Sequence, residues 1–263
     1  MKKNTLTVVL AALFTGVSGS AMAFSLSGTG GMVEFSGTLT QQDLITPWEV
    51  LMGAPIVLNG NIGKGAKNAK LIVAKPALMI GIRSAADQMH QLEGFQGRGG
   101  GIVPQIDFGG KLNLDSFANS VATLTLDVMN EANTNKIGTM TASVFSAGEA
   151  SATPMRGSTT RNAAIATKQG DSFWGGVPAS ADRADVNPRS RMLAINSYLP
   201  TTTLTSGDLR GPQVFKFNDT NLYYSGYYGA GLEAGSEVVI ALDSAPNESL
   251  KWRSSLPVTI SYM

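Results

Sequence analysis

The sequence predicts an all-β protein built as a sandwich. Two observations support this prediction: short runs in which apolar and polar residues alternate recur along the chain, and stretches with helical periodicity are few. Turn residues separate the runs, as in Asn59-Gly60-Asn61 and Ala234-Gly235-Ser236. Short strands at this spacing are typical of a sandwich.

The first 23 residues have the pattern of an export signal. Lys2 and Lys3 form a basic start, residues 6–17 are an apolar run, and Ala21-Met22-Ala23 is a small-residue cleavage site. The apolar run is too short to span a bilayer as a helix, so we predict cleavage; the alternative is a retained anchor. We expect residues 24–263 to form a single domain.

Composition excludes several classes of function. The chain has 20 basic and 19 acidic residues, and loss of the signal removes two lysines. The mature chain is therefore close to neutral, without the basic excess that attracts nucleic acid or anionic membranes. Cysteine is absent, which excludes a thiol nucleophile, a cysteine-ligated metal and disulfides. Stability must come from burial and strand pairing.

A stretch just after the signal has an unusual strand pattern. Gly31, Val33, Phe35, Gly37 and Leu39 recur with a period of two, so a single strand places them on one face. Glycine weakens a strand interior. Very small and bulky side chains in alternation suit a strand that enters another molecule's groove, where backbone hydrogen bonds and side-chain pockets hold it. The alternative is a glycine-rich first strand of the protein's own sheet.

The remaining strands follow at short intervals. The clearest pair is a hairpin in which residues 122–128 and 139–144 alternate on either side of turn residues 130–135. A capping pattern predicts a brief helix over residues 84–94. The other predicted strands or extended segments are Trp48–Leu51, Leu71–Val73, Leu78–Ile82, Ile102–Phe108, Val214–Phe217, Leu222–Tyr228, Val238–Leu242 and Leu256–Tyr262.

The middle of the chain, residues 146–212, has no sustained period of either kind. A long loop-rich segment inside a domain is usually functional or mobile. We interpret it as an elaboration on the sandwich, with a short helix near Arg189–Asn196. Phe173 and Trp174 in this segment are candidate ligand contacts, because aromatic rings offer flat faces on which sugars stack. The alternative is that these aromatic rings are buried and anchor a loop to the core.

Motifs for catalysis and metal binding are weak. His90 is the only histidine, so a triad or a typical zinc site lacks residues that it needs. Residues 60–65 lack the spacing of a phosphate loop, and Gly229-Ala230-Gly231 lacks that of a dinucleotide fingerprint, so we interpret both as turns. Acid pairs such as Asp182 and Asp185 occur by chance in a chain with this many acids. We predict no enzyme activity, no metal and no cofactor.

The two ends of the chain resemble those of chaperone–usher fimbrial subunits. The final residues, Leu256–Met263, alternate apolar and polar side chains up to a penultimate tyrosine. Within this group the sequence is most similar to the flexible fimbriae that carry the K-eighty-eight (F-four) antigen. Residues 31–37, 48–49, 104–108, 135–140, 228–235 and 257–262 carry this similarity. It covers most of residues 24–145 and 222–263 and fails between them.

The resemblance implies an immunoglobulin-like sandwich that lacks its last strand, with an elaborated loop-rich middle region and one or two short helices. Residues 24–37 would be an amino-terminal extension that completes the next subunit by donor-strand exchange. Gly31, Val33, Phe35 and Gly37 would enter that subunit's groove. In the receiving groove, which a periplasmic chaperone also contacts, the implied residues are Leu256, Val258, Ile260, Tyr262 and Met263.

The resemblance also implies partners and a location. The partners are the periplasmic chaperone, an outer-membrane usher and other fimbrial subunits, and the chain is exported through the periplasm to a cell-surface fimbrium. In the relatives the major subunit is also a lectin for galactose-containing host glycans, but residues 146–212 differ, so no sugar-binding residue carries over and a minor subunit is favoured. The alternative class is a freestanding secreted carbohydrate-binding sandwich.

Overall fold

A computed structural model describes residues 36–38, 46–85, 94–199 and 207–263. The chain divides into two compact units, residues 1–43 and 44–263. In the first unit, residues 36–38 are exposed and have no regular secondary structure. The second unit contains all the strands described below. No helix in these ranges is long and apolar enough to cross a membrane.

The second unit consists mainly of strands, so the all-β prediction is confirmed. The single α-helix among the described residues, α1 (Arg189–Ile195), lies where the sequence predicts one, and a short 3-10 helix spans Ala181–Arg183. The helix predicted over residues 84–94 lies largely outside the described ranges. The strands are β1 (Trp48–Met52), β2 (Asn68–Ile72), β3 (Ala77–Ser84), β4 (Phe95–Gln96), β5 (Pro104–Asp107), β6 (Leu112–Ala118), β7 (Val121–Asn130), β8 (Lys136–Pro154), β9 (Thr160–Ala164), β10 (Asp208–Gln213), β11 (Leu222–Leu232), β12 (Glu237–Leu242), β13 (Trp252–Arg253) and β14 (Thr259–Tyr262).

Strand β8 connects the two halves of the fold. Its first part pairs antiparallel with β7 on one edge and with β12 on the other. Its second part pairs with β11 and β9. Strands β2 and β6 extend the first half, while β3, β1 and β10 extend the second. Buried side chains from both halves form one main hydrophobic core.

Strand β8 is longer than the sequence predicts. It runs for 19 residues, to Pro154, whereas the alternation ends at Val144. Residues 144–151 are all buried, because Phe145 and Ala147 pack with α1 while Val144 and Ala150 belong to the main core. A strand covered on both faces has no alternation. The interpretation of residues 146–212 as loop-rich throughout is therefore wrong for the end of β8, and also for β9 and β10.

Two glycine motifs have different outcomes. The motif at residues 60–65 contains a turn, closed by a hydrogen bond of 2.9 Å from the Ala66 N–H to the Gly63 carbonyl, as predicted. Gly229-Ala230-Gly231 lies inside β11, so its interpretation as a turn is wrong. A Cβ atom on Gly229 would lie 2.5 Å from the Met192 sulfur. Glycine here allows α1 to pack closely on β11.

A buried carboxylate anchors the middle segment to the sandwich. The Glu149 side chain is fully buried, with 0% exposed. One of its oxygens accepts hydrogen bonds from Arg189 at 2.7 Å and from Arg161 at 3.1 Å, and the other accepts one from the Tyr227 hydroxyl at 3.3 Å. Burial, and secondarily the Glu149 charge, raise the pKa of Tyr227 well above its ordinary value. These contacts hold α1 and β9 against β8.

Candidate functional site: an apolar groove beside the last strand

The last strand is paired along one edge. Strand β14 runs antiparallel to β5, with Ile260 opposite Ile106. The pairing continues past the strand, since Met263 and Val103 exchange backbone hydrogen bonds of 3.0 and 3.1 Å. Within the described residues, no strand pairs with the other edge of β14. Its backbone N–H and C=O groups on that edge are therefore available to a further strand.

The inward face of the carboxyl-terminal segment is incompletely covered. Leu256, Val258, Ile260 and Tyr262 are half-buried and pack against the main core, while the residues between them are exposed. The corresponding inward residues of β7 are almost wholly buried. Apolar side chains at these positions normally gain most of their stabilisation from full burial. The sandwich is therefore open along this segment.

An apolar cavity of about 800 Å³ lies next to Leu256, where this segment begins. Residues 55–59 form one wall, which we call the amino-terminal wall, and residues 250–256 form the other, the carboxyl-terminal wall. Core side chains of both halves make the floor. These floor residues are Met79, Leu124, Leu126, Met140, Ala142 and Leu232. We call this space the wide cavity.

The amino-terminal wall exposes apolar side chains. Val57 is 77% exposed and Ile56 is 37% exposed. Among the described residues, the N–H groups of Ile56, Val57 and Leu58 have no hydrogen-bond partner. Exposed apolar side chains beside unpaired backbone groups are characteristic of an edge that binds another strand.

A second cavity of about 420 Å³ continues the groove along both walls. The amino-terminal wall extends to residues 60–64 and the carboxyl-terminal wall to residues 246–249. Leu250 and Trp252 line both cavities. We call this second space the distal cavity. The two walls therefore run in opposite directions along one continuous groove.

Tyr262, at the end of β14, lies close to the residues that precede β1. The Tyr262 phenol is partly buried, which raises its pKa, and a hydrogen bond with the Thr46 side chain partly offsets this increase. Trp48, two residues along the chain, donates a hydrogen bond of 2.6 Å from its indole nitrogen to the Ile102 carbonyl. These contacts join the start of β1 to the end of β14.

The structure locates the predicted site residues as follows. Leu256, Val258, Ile260 and Tyr262 share the inward face beside the groove, and Met263 continues the pairing to Val103. Gly37 is exposed and lies in the short described segment of residues 36–38. Gly31, Val33 and Phe35 lie outside the described residues, as does His90.

Phe173 is not an exposed ligand contact. Its side chain is 0% exposed. The ring stacks on Tyr228, with centroids 5.6 Å apart, and meets Trp48 edge-on at 5.7 Å. Its backbone has a positive φ of 60°, which turns the side chain of this loop into the core. Phe173 is therefore a buried ring that anchors its loop to the core, which was the alternative interpretation.

Trp174, the other aromatic candidate, lines a cavity of about 440 Å³ on the outer face of β5 and β14. It is half-buried, and its carbonyl accepts a hydrogen bond of 2.8 Å from Ile106. The cavity's polar lining includes Asp107, Gln169, Thr259 and Ser261. This arrangement combines an aromatic ring with hydrogen-bonding side chains.

Sequence reasoning missed the amino-terminal wall. The run Pro55-Ile56-Val57-Leu58 is apolar, but without alternation it does not read as a strand. Its exposure, which only a structure reveals, makes it a candidate binding surface. No group of three or more His, Cys, Asp or Glu side chains that could hold a metal ion occurs in the described ranges.

The fold and the groove define a class: an all-β protein whose core is incompletely covered beside its last strand. A protein-family model described as "Fimbrial, major and minor subunit" matches residues 1–263, the whole chain. The chain therefore belongs to the K-eighty-eight family of fimbrial subunits. No curated protein matches the chain. Membership makes the chain a subunit of a cell-surface fimbrium that interacts with other fimbrial subunits.

Proposed function

We propose that this structural subunit polymerises by donor-strand exchange. The groove receives the amino-terminal segment of a neighbouring subunit, with Gly31, Val33, Phe35 and Gly37 facing its floor. The observation that carries the proposal is the wide cavity of about 800 Å³, floored by core residues and bounded on one side by the amino-terminal wall, where the N–H groups of Ile56, Val57 and Leu58 are unpaired among the described residues. Strand addition of this kind uses backbone hydrogen bonds for affinity and side-chain pockets for specificity.

The energetics agree with a subunit that is incomplete alone. Full burial of one large apolar side chain contributes about 1.5–3 kcal/mol. A missing strand with several such side chains removes an amount comparable with a domain's net stability of about 5–15 kcal/mol. The isolated subunit is therefore marginally stable, and its open edge favours aggregation. A periplasmic chaperone that occupies the groove stabilises the subunit and covers its open edge. The subunit is then transferred from the chaperone to the fibre at an outer-membrane usher.

Assembly of fibres from purified chaperone-bound subunits tests the proposal. Gly31→Phe places a bulky side chain on the face that enters the groove, so we expect it to stop fibre growth while chaperone binding persists. Gly30→Phe is the matched control, because Gly30 lies on the opposite face of the same strand. Equal fibre growth by both variants would contradict the proposed strand and its register. A mature chain that is a stable monomer without a chaperone would instead support a freestanding protein.

A second candidate function is adhesion to host glycans. The cavity beside Trp174 supports it, because an aromatic ring with Asp107, Gln169 and two hydroxyl groups suits a polyhydroxylated ligand. A glycan array probed with donor-complemented subunit tests this function. Thr259→Val should weaken binding, whereas the same change at the exposed Thr125 of β7 should not. Absence of binding to any glycan would leave a purely structural subunit.

A further inference from the structure

The loop between β1 and β2 contains Asn59-Gly60, the one Asn-Gly pair in the sequence. Asparagine is a chemically labile residue. It rearranges most readily before glycine, because glycine has no side chain to hinder attack of its backbone nitrogen on the asparagine amide. Both residues are exposed and lie outside regular secondary structure. The pair is therefore accessible to the water that the reaction consumes.

Hydrogen bonds among the described residues do not restrain this pair. The Asn59 side chain has no partner there, and residues 54–62 make no backbone hydrogen bonds to other described residues. The nearest bonded backbone groups are those of Gly53 and Gly63. A backbone segment without such bonds opens at little cost. The Gly60 nitrogen can therefore approach the carbonyl carbon of the Asn59 side chain.

Packing requires a glycine at position 60. A Cβ atom there would overlap the side chain of Leu71. Leu71 is only 4% exposed, so it has little room to move aside. A larger residue, which would slow the rearrangement of Asn59, therefore does not fit at this position.

The reaction needs only the chain and water. The Gly60 nitrogen forms a bond to the side-chain carbonyl carbon of Asn59, the bond from that carbon to the amide nitrogen breaks, and ammonia leaves with the proton of the Gly60 N–H. Water then opens the cyclic succinimide at either carbonyl. Opening at the side-chain carbonyl gives aspartate. Opening at the backbone carbonyl gives isoaspartate, in which the main chain runs through the side-chain carbon.

Both products change the amino-terminal wall where the two cavities meet. Asn59 lines the wide cavity and Gly60 lines the distal cavity. Either product adds a negative charge, which is costly to bury in an apolar groove. Isoaspartate also lengthens the backbone by one carbon, so the N–H groups before and after it no longer share one strand register.

We propose that Asn59 is a site of spontaneous modification, at which conversion to isoaspartate or aspartate ends the capacity of an unassembled subunit to accept a strand. The effect on the groove rests on the proposed donor-strand exchange, whereas the modification itself does not. A strand paired with residues 55–59 would hold their backbone extended and slow the attack by Gly60. The reaction therefore acts on subunits that wait unassembled and spares subunits already in a fibre.

Peptide mapping by mass spectrometry measures the reaction in the mature chain at mildly alkaline pH, in buffer where circular dichroism confirms folding and in urea. Asn119 in the same sample is the control, because the N–H of the next residue, Ser120, donates a hydrogen bond of 2.8 Å to the Arg183 carbonyl. Folding should leave the rate at Asn59 unchanged. It should lower the rate at Asn119 about tenfold, since this bond must open first. Equal protection of both asparagines by folding would overturn the proposal.

A variant links the modification to the groove. Asn59→Gln keeps the amide but cyclises far more slowly, because its longer side chain must close a larger ring. After incubation, the chain with Asn59 should lose binding of a peptide of residues 24–40, which contains the predicted donor segment, in proportion to the converted fraction. The variant should keep its binding.

The outcomes separate the modification from donor-strand exchange. Conversion of Asn59 without loss of peptide binding would overturn its effect on the groove. If chains that have not been incubated do not bind the peptide either, donor-strand exchange fails. Peptide mapping of the same samples still decides whether Asn59 is modified.

Discussion

Trp48 and Ile102 are joined by a hydrogen bond of 2.6 Å from the indole nitrogen to the backbone carbonyl. Trp48 begins β1, and the N–H of Ile102 in turn donates to the Met263 carbonyl at 3.1 Å. The first strand and the last residue of the chain are thus held by the same short segment. This connection holds the start of β1 against the end of β14.

Trp48→Phe should lower the free energy of unfolding of the donor-complemented subunit. The change leaves the buried Ile102 carbonyl without this partner, which costs about 1–3 kcal/mol. Urea unfolding monitored by circular dichroism measures the effect. Trp174→Phe is the control, since the Trp174 indole makes no hydrogen bond within the described residues. Equal losses in both variants would show that ring size, and not the hydrogen bond, matters at Trp48.

Glu149→Gln should destabilise the subunit strongly. Removing one member of a buried ion pair costs about 3–5 kcal/mol, and Glu149 pairs with both Arg161 and Arg189. The exposed pair of Glu237 with Lys70 offers a matched control, for which Glu237→Gln should cost about 0–1 kcal/mol. Urea unfolding of the two variants in parallel makes the comparison. A small effect at Glu149 would mean that the middle segment does not depend on this anchor.

Gly229→Ala should disturb the packing of α1 on β11. The added methyl group would lie 2.5 Å from the Met192 sulfur and 2.9 Å from a methyl carbon of Leu199. Overpacking of this kind costs about 1–3 kcal/mol. Gly211→Ala in β10 is the control, because no atom lies within 4 Å of its added methyl group. Thermal unfolding midpoints should fall for the first variant and change little for the second.

Binding of the donor strand should weaken at alkaline pH through Tyr262. Burial raises the pKa of this phenol, so the folded state favours the protonated form. The stabilisation is fully present below the ordinary pKa of about 10 and is lost as pH rises through the higher value of the folded state. A strand laid over Tyr262 buries it further, so peptide affinity should decrease above about pH 10. Tyr262→Phe should reduce this pH dependence, whereas Tyr198→Phe, at an exposed position, should not.

Alternation predicted strands with one covered face, whereas the second part of β8, which has two covered faces, was missed. The hairpin of β7 and the first part of β8 alternates because one face is solvated, and the predicted bounds of β7 and the predicted start of β8 lie within about three residues of those observed. The second part of β8 is buried on both faces, so Phe145 to Ser151 show no period. Gly229 was misread because a close helix contact, and not a turn, requires it. Such contacts lie far apart in sequence and have no local signal.

The candidate site was predictable on one side only. The alternation from Leu256 to Tyr262 identified the segment that begins at the carboxyl-terminal wall and ends in β14. The opposite wall, residues 55–59, has neither alternation nor regular secondary structure, so no strand pattern identifies it in the sequence. Phe173 was ambiguous because a positive φ, which directs its ring inward, cannot be read from the residue type. Exposure, which depends on the whole fold, decides each of these cases.

Hydrogen–deuterium exchange of the mature subunit, with and without a peptide of residues 24–40, tests the central claim most directly. The account predicts fast exchange at Ile56, Val57 and Leu58 in the free subunit, and strong protection there and along the free edge of residues 256–262 once the peptide is bound. Protection of both walls before the peptide is added, or no change after it binds, would contradict the claim that the groove takes a strand from a neighbour.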